Sequence, residues 1–181
     1  MKQPMAPKLL IDEVRIRNRI AILAEEIAEE FNKEPLVVVG LLNGSFVFLA
    51  DLIRQLNRFS LSLIIDFMRI SSYGSGMVTS REPKLVQDIS VSIKNRHVLI
   101  VDDILDTGYT LAFVKEHLKD DGPAGLSSCV FLDKSECRQV DIRADYVGFT
   151  IPDAFVVGYG LDYDGRYREL PCVSVLSEEE D

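Results

Sequence analysis

The sequence predicts an α/β fold, a mostly parallel sheet flanked by helices, on three observations. Strand-like and helix-like segments alternate as far as residue 132. The strand-like segments are unbroken apolar runs, the pattern of a sheet covered on both faces. One such run, Val98-Leu99-Ile100-Val101, ends in the acidic pair Asp102-Asp103 and a small-residue turn that opens a helix. Open α/β sheets bind ligands at that end of their strands.

The elements follow in order. Residues 12–32 read as an amphipathic helix: Ile16, Ile20, Leu23, Ile27 and Phe31 recur at spacings of three and four, Asp12 is a suitable N-cap, and Pro35 marks the end. Leu36–Leu42 is a short, β-branched buried strand. Asn43-Gly44-Ser45 turns the chain into a helix whose inner face carries Phe46, Leu49, Ile53 and Leu56, and Leu61–Phe67 is the next strand. A helix from Thr107 to about Asp120 and a strand from Leu126 to Leu132 complete the alternation, and right-handed crossovers put helices on both faces. Residues 69–83 are polar, glycine-rich and aperiodic, which fits a lid or binding loop, an idle surface loop or an extended hairpin. Beyond Asp133, short apolar pieces mixed with Asp, Arg and Gly suggest a small second lobe with an antiparallel edge. Residues 177–181 are an acidic tail.

Composition narrows the function classes. The chain has 181 residues, enough for one domain with a substantial core. A net charge of −9 and a pI near 4.8 argue against nucleic acid or an anionic membrane as partner. No apolar stretch approaches a membrane span, and Met1-Lys2-Gln3-Pro4 lacks the apolar core of a signal peptide, so a cytoplasmic protein is expected. Without a secretory signal, the sequon Asn43-Gly44-Ser45 is coincidental. Cys129, Cys137 and Cys172 fit no metal-site spacing, and Cys129 reads as a buried strand thiol. His97 and His117 stand alone, against a zinc site or a Ser-His-Asp triad.

The chemistry concentrates in Asp102–Thr110. Backbone N–H groups of the turn Asp106-Thr107-Gly108-Tyr109-Thr110 and of the following helix can hold a phosphate, and Gly108 permits close approach. Asp102 and Asp103 can hold a hard cation or sugar hydroxyls, though adjacent acids are also common as loop carboxylates or caps. Asp106 is an ordinary N-cap or, placed beside the sugar, a base.

This stretch resembles the phosphoribosyl pyrophosphate motif of the type I phosphoribosyltransferases, two acids and a small-residue Thr-Gly loop after an apolar strand. The Asp at 106 is similar to that of the 6-oxopurine branch, the hypoxanthine-guanine enzymes. The resemblance runs from about residue 10 to residue 175. It implies the type I phosphoribosyltransferase fold in a single domain over 1–181, with a core about 10–132 and a small hood built from the C-terminal part and possibly the N-terminus. It also implies Mg²⁺, a homodimer or homotetramer, and a purine base and phosphoribosyl pyrophosphate as substrates.

The resemblance carries over residue by residue. Asp102, Asp103, Asp106, Thr107, Gly108, Tyr109 and Thr110 bind the phosphoribosyl group and its 5′-phosphate, and Asp106 moves the N7 proton. Asn43, Gly44 and Arg168 bind pyrophosphate. Ser72 and Tyr73 belong to the flexible catalytic loop. Lys134, Phe155, Val156 and Asp162 bind the purine, and Asp102, Asp103 and Asp162 face metal. The residues themselves are consistent with these roles. A lysine ammonium only donates, so Lys134 selects an oxo over an amino group, unless it is merely solvated. Phe155 offers a face for stacking, or packs in the core. Asp162 is a cation ligand or a turn acid.

Two departures stand out. Asn43 replaces the family's usual Lys or Arg and removes a cation near pyrophosphate, so weaker binding is expected there unless Mg²⁺ or Arg168 compensates. Asp102 replaces a common Glu. The rival readings are a non-catalytic regulator on the same fold, disfavoured by the acidic charge and by Asp106, and a transferase for xanthine, adenine or a pyrimidine. Lys134 disfavours adenine.

Overall fold

The computed structural model describes residues 7–31, 34–72 and 83–176. A short strand β1 (Lys8–Ile11) leads into helix α1 (Glu13–Phe31). Asp12 caps that helix: its carboxylate accepts from the Arg15 N–H at 2.9 Å. The five apolar residues at helical spacing are all buried. Strand β2 (Leu36–Leu42) has the bounds expected from sequence, and helix α2 (Phe46–Leu56) follows the Asn43–Ser45 turn, but its buried face is Phe48, Leu49, Leu52 and Leu56, with Phe46 at the first turn exposed. Then come β3 (Leu63–Ser72), β4 (Pro83–Gln87), β5 (His97–Leu105), α3 (Tyr109–Lys119), β6 (Gly125–Asp133), β7 (Tyr146–Thr150), β8 (Val156–Val157) and β9 (Val173–Val175).

The main sheet has the order β4-β3-β2-β5-β6-β7 and is parallel except for the β3–β4 edge. A second, antiparallel sheet, β1-β9-β8, joins an early strand to two late ones. Side chains of β2 alternate between two cores. Leu36 and Val38 face α1 and α2, and Val37, Val39 and Leu41 face α3. Phe131 of β6 is fully buried where elements meet, its ring 5.3 Å from Phe48 of α2, 5.8 Å from Phe149 of β7 and 4.8 Å from Tyr159 near the second sheet. Among the described residues, no helix is long and apolar enough to cross a membrane.

Several boundaries differ from the sequence reading, each for a pairing reason. β5 does not stop at Val101. It runs on through the acidic pair, because β6 continues the ladder opposite it: Asp102 pairs with Val130 and Leu105 with Asp133. β3 begins at Leu63 and extends to Ser72, so Arg69–Ser72, expected in the loop, pair with β4. Residues 73–82, Tyr73 among them, lie outside the described residues, as does the acidic tail. β7 pairs in parallel with β6, so the main sheet continues to Thr150, past residue 132. Helix α3 starts at Tyr109, two residues later than expected, with Gly108 at φ +95° as its N-cap. Asp106 therefore caps no helix.

Candidate active site

A cavity of about 260 Å³ lies at the carboxyl ends of β2 and β5, lined by Leu41–Gly44, Ile70 and the whole run Asp102–Leu111. The parallel pairing of β2 with β5 sets both loops at one sheet end, where the turn after β2 faces the turn after β5. The Leu42–Asn43 peptide is cis. Ser45, fully buried, closes the first turn by donating to the Leu41 carbonyl at 2.6 Å. Gly44 lies directly against Asp103: a Cβ there would fall 1.6 Å from a carboxylate oxygen of Asp103. The position admits only glycine without a rearrangement of the acid. Asn43 is exposed on the cavity wall.

The acidic pair is electrostatically uncomfortable as it stands. Asp102 is buried, and burial first, then the charge of Asp103, push its carboxyl well above the usual range. Asp103 is also raised by burial, offset in part by hydrogen bonds and by the nearby charge of Arg168. Each carboxylate accepts from the next backbone N–H at 3.0 Å. Two desolvated acids fit a divalent cation that keeps its waters and takes its other ligands from substrate oxygens, the usual habit of Mg²⁺. Among the described residues, no three His, Cys, Asp or Glu side chains are placed to hold a metal ion together.

The turn Asp106–Gly108 is braced from outside the cavity. Arg138 donates to the Asp106 carbonyl, and the N–H groups of Gln139 and Val140 donate to the Thr107 carbonyl at 2.9 and 3.2 Å. Glycine at 108 has a reason other than phosphate approach. Its φ is left-handed, and a Cβ would sit 2.8 Å from Ile142 and 3.1 Å from Arg138, on the bracing side. Asp106 and Thr107 are half-buried, Tyr109 is exposed, and all of 106–110 line the cavity.

Lys134, Phe155, Val156 and Asp162, expected around a base, do not line this cavity, and neither does Arg168, expected at the pyrophosphate. Lys134 is buried rather than solvated. Its backbone N–H donates to the Leu105 carbonyl at 3.0 Å, and its ammonium lies 3.5 Å from Asp153. Phe155 is 53% exposed, edge-on to Tyr163 at 5.6 Å, so core packing is not its role. Val156 is buried in β8. Asp162 pairs with Arg168 at 2.7 Å and accepts from the Gly165 N–H at 2.8 Å, which occupies both carboxylate oxygens. Arg168 also donates to the Gly160 carbonyl at 2.5 Å. Ser72 ends β3, paired with Pro83.

One contact joins the Asn43–Gly44 turn to the segment that carries Asp162 and Arg168. Gly160, at φ +100°, packs against Gly44, where a Cβ would come within 2.1 Å of the Gly44 carbonyl. Burial, and then the acids Asp153 and Asp106, push the Cys137 thiol up to about 11. Sequence reasoning did not single out Arg138, Cys137 or Asp153. Cys137 and Arg138 are placed by the 3-10 turn Ser135–Cys137 and Asp153 by the loop between β7 and β8, neither of which periodicity announces. Cys129 is fully buried in β6, as its apolar surroundings suggest.

A phosphate-type turn and an acidic pair at the carboxyl edge of a parallel sheet define a class that acts on activated sugar phosphates. Residues 11–164 match the family described as the phosphoribosyl transferase domain, and the chain belongs to that family. It is 48% identical over 172 residues to the hypoxanthine-guanine phosphoribosyltransferase of Aquifex aeolicus, covering 94% of this chain and 95% of that one. It is 46% identical over 175 residues to the hypoxanthine phosphoribosyltransferase of Haemophilus influenzae, covering 95% and 96%. A solved structure of the hypoxanthine phosphoribosyl transferase of Trypanosoma cruzi superimposes with a TM-score of 0.90 at 42% identity, covering 98% of this chain and 94% of that one.

Proposed function

We propose that this chain is a purine-salvage transferase. It moves the 5-phosphoribosyl group from phosphoribosyl pyrophosphate to N9 of hypoxanthine or guanine, giving IMP or GMP and pyrophosphate. The observation that carries the reading is the acidic pair and the Asp106–Thr110 turn on one wall of a cavity whose other wall is Asn43–Gly44.

In this reading the N–H groups of the turn and of the start of α3 hold the 5′-phosphate. Asn43 and Gly44 hold pyrophosphate, with Arg168 close to Asp103. Asp102 and Asp103 lie beside the ribose, where their charge favours the positive character that develops at the anomeric carbon. Asp102 and Asp103 would hold a Mg²⁺ ion, which would supply neutralisation of the leaving pyrophosphate. The base lies against Phe155, with its 6-oxo group accepting from Lys134 and backbone groups at Val156 and Asp162 on its other edge. Its N9 forms the bond to the anomeric carbon as the bond to pyrophosphate oxygen breaks, and the N7 proton passes to the Asp106 carboxylate. The segment containing Ser72 and Tyr73 excludes water during the transfer. The chain is one domain, works in the cytoplasm and assembles as a homodimer or homotetramer.

A base panel tests the reading. Protein, Mg²⁺ and phosphoribosyl pyrophosphate are mixed with hypoxanthine, guanine, xanthine, adenine or uracil, and nucleotide formation is followed by absorbance. Turnover with hypoxanthine or guanine supports it and ranks the substrates. No turnover with any base overturns it in favour of a regulator, which RNA- and DNA-binding assays then examine.

A further inference from the structure

Within the proposed site, the proton acceptor and the 6-oxo donor sit on different connections. Asp106 lies in the turn after β5, and Lys134 lies just past the end of β6. Purine position is read at Lys134 and used at Asp106, so the separation of the two turns decides whether N7 meets its acceptor. One side chain spans them. Arg138 sends one guanidinium nitrogen to the Asp106 carbonyl and another to the carboxylate of Asp133, the residue before Lys134. Its side chain is only 16% exposed, and that of Asp133 17%. The backbone on either side reinforces the tie. Cys137 N–H donates to the Lys134 carbonyl at 3.1 Å, and Gln139 and Val140 donate to the Thr107 carbonyl.

We infer that Arg138 is a positioning residue for the transferase, fixing Asp106 relative to Lys134. The inference rests on the function proposed above. A guanidinium is suited to this because its donors are fixed in a planar fork and reach a carbonyl and a carboxylate together, while a lysine ammonium has one flexible point of contact. Arg138 touches the carbonyl of Asp106 and not its carboxylate. Its loss therefore acts on the acceptor through the backbone.

The test compares wild type, Arg138→Lys and Arg138→Met for kcat, both KM values, the pH profile of kcat and thermal unfolding, with and without ~10 mM guanidinium chloride. Arg138→Lys keeps a cation beside Asp133 and so guards against a variant that fails to fold. A misplacement of about 1 Å predicts kcat down ~10-fold in Arg138→Lys and ~100-fold in Arg138→Met, with KM values within about threefold and the acidic limb of the pH profile in place. Added guanidinium fills the space left in Arg138→Met and recovers part of its kcat. Wild-type kcat in Arg138→Lys, or a loss in Arg138→Met that follows only the fraction unfolded and ignores guanidinium, overturns the inference. Wild-type protein inactive with every base is a different failure. It removes the transferase reading, and this inference with it.

Discussion

Single residues carry the proposed chemistry, and three of them can be set against measurement. Asp106→Ala leaves nucleotide binding largely intact and lowers kcat at least ~100-fold, the usual contribution of a positioned base. Equal kcat removes that role. Asn43→Lys restores the family's usual cation at an exposed position on the cavity wall and lowers the KM for phosphoribosyl pyrophosphate, and an unchanged or higher KM contradicts the account of that turn. Asp102 has a stability consequence with a definite sign. Its carboxyl titrates above the ordinary range in the fold, so between the unfolded and the folded value the folded state binds more protons than the unfolded one. Stability therefore falls as pH rises from the ordinary carboxylate range through the folded value. Asp102→Asn removes that penalty. Ligand-free Asp102→Asn melts higher than wild type at neutral pH, the gap closes on acidification, and catalysis drops. A melting temperature below wild type at neutral pH contradicts this account of the pair.

At the scale of elements, much was legible where a residue's role is local. Asp12, the helical stripe of α1 and the apolar run of β2 depend on neighbours in sequence, and the structure repeats them with little change. The errors fall where a distant partner decides. Asp102 and Asp103 read as a strand's end because they are charged, yet β6 extends the ladder past them. Arg69–Ser72 read as a lid, a surface loop or an extended hairpin, and only the antiparallel pairing with β4 selects the hairpin for them. Gly108 was legible as special, but the crowding behind it was not, since Arg138 and Ile142 are remote in sequence. The Asp106–Thr110 motif was legible through its resemblance to a family; the brace behind it was not. Gly108→Ala tests this second reason. A left-handed alanine costs about 1–2 kcal/mol, and the crowding against Ile142 adds to it. Denaturant midpoints lower by at least that amount, with a raised KM for phosphoribosyl pyrophosphate, are expected. An unchanged midpoint means that the turn relaxes freely.

At the scale of the molecule, Phe131 ties the main sheet to α2 and to the second sheet's surroundings through Phe48 and Tyr159. Phe131→Ala empties the space between these layers and costs about 3–5 kcal/mol by urea unfolding, the usual range for a buried Phe. Because Tyr159 also donates to Asp51 of α2, the base side should loosen more than the phosphate side, visible as faster amide exchange in β8 and β9 than in β5. A loss below about 1 kcal/mol would show that the layers close over the gap.

The pairing of β1 with β9 joins Lys8 to Val175, nearly the full span of the described chain. On a ribosome the phosphate-side strands and α3 are all released before β9 exists. A nascent chain thus completes the sugar-phosphate half of its cleft early and waits for the base half. During that wait Ile11 and Val156, buried in the finished fold, lack their cover. Exposed apolar strands in an unfinished fold invite association with other chains.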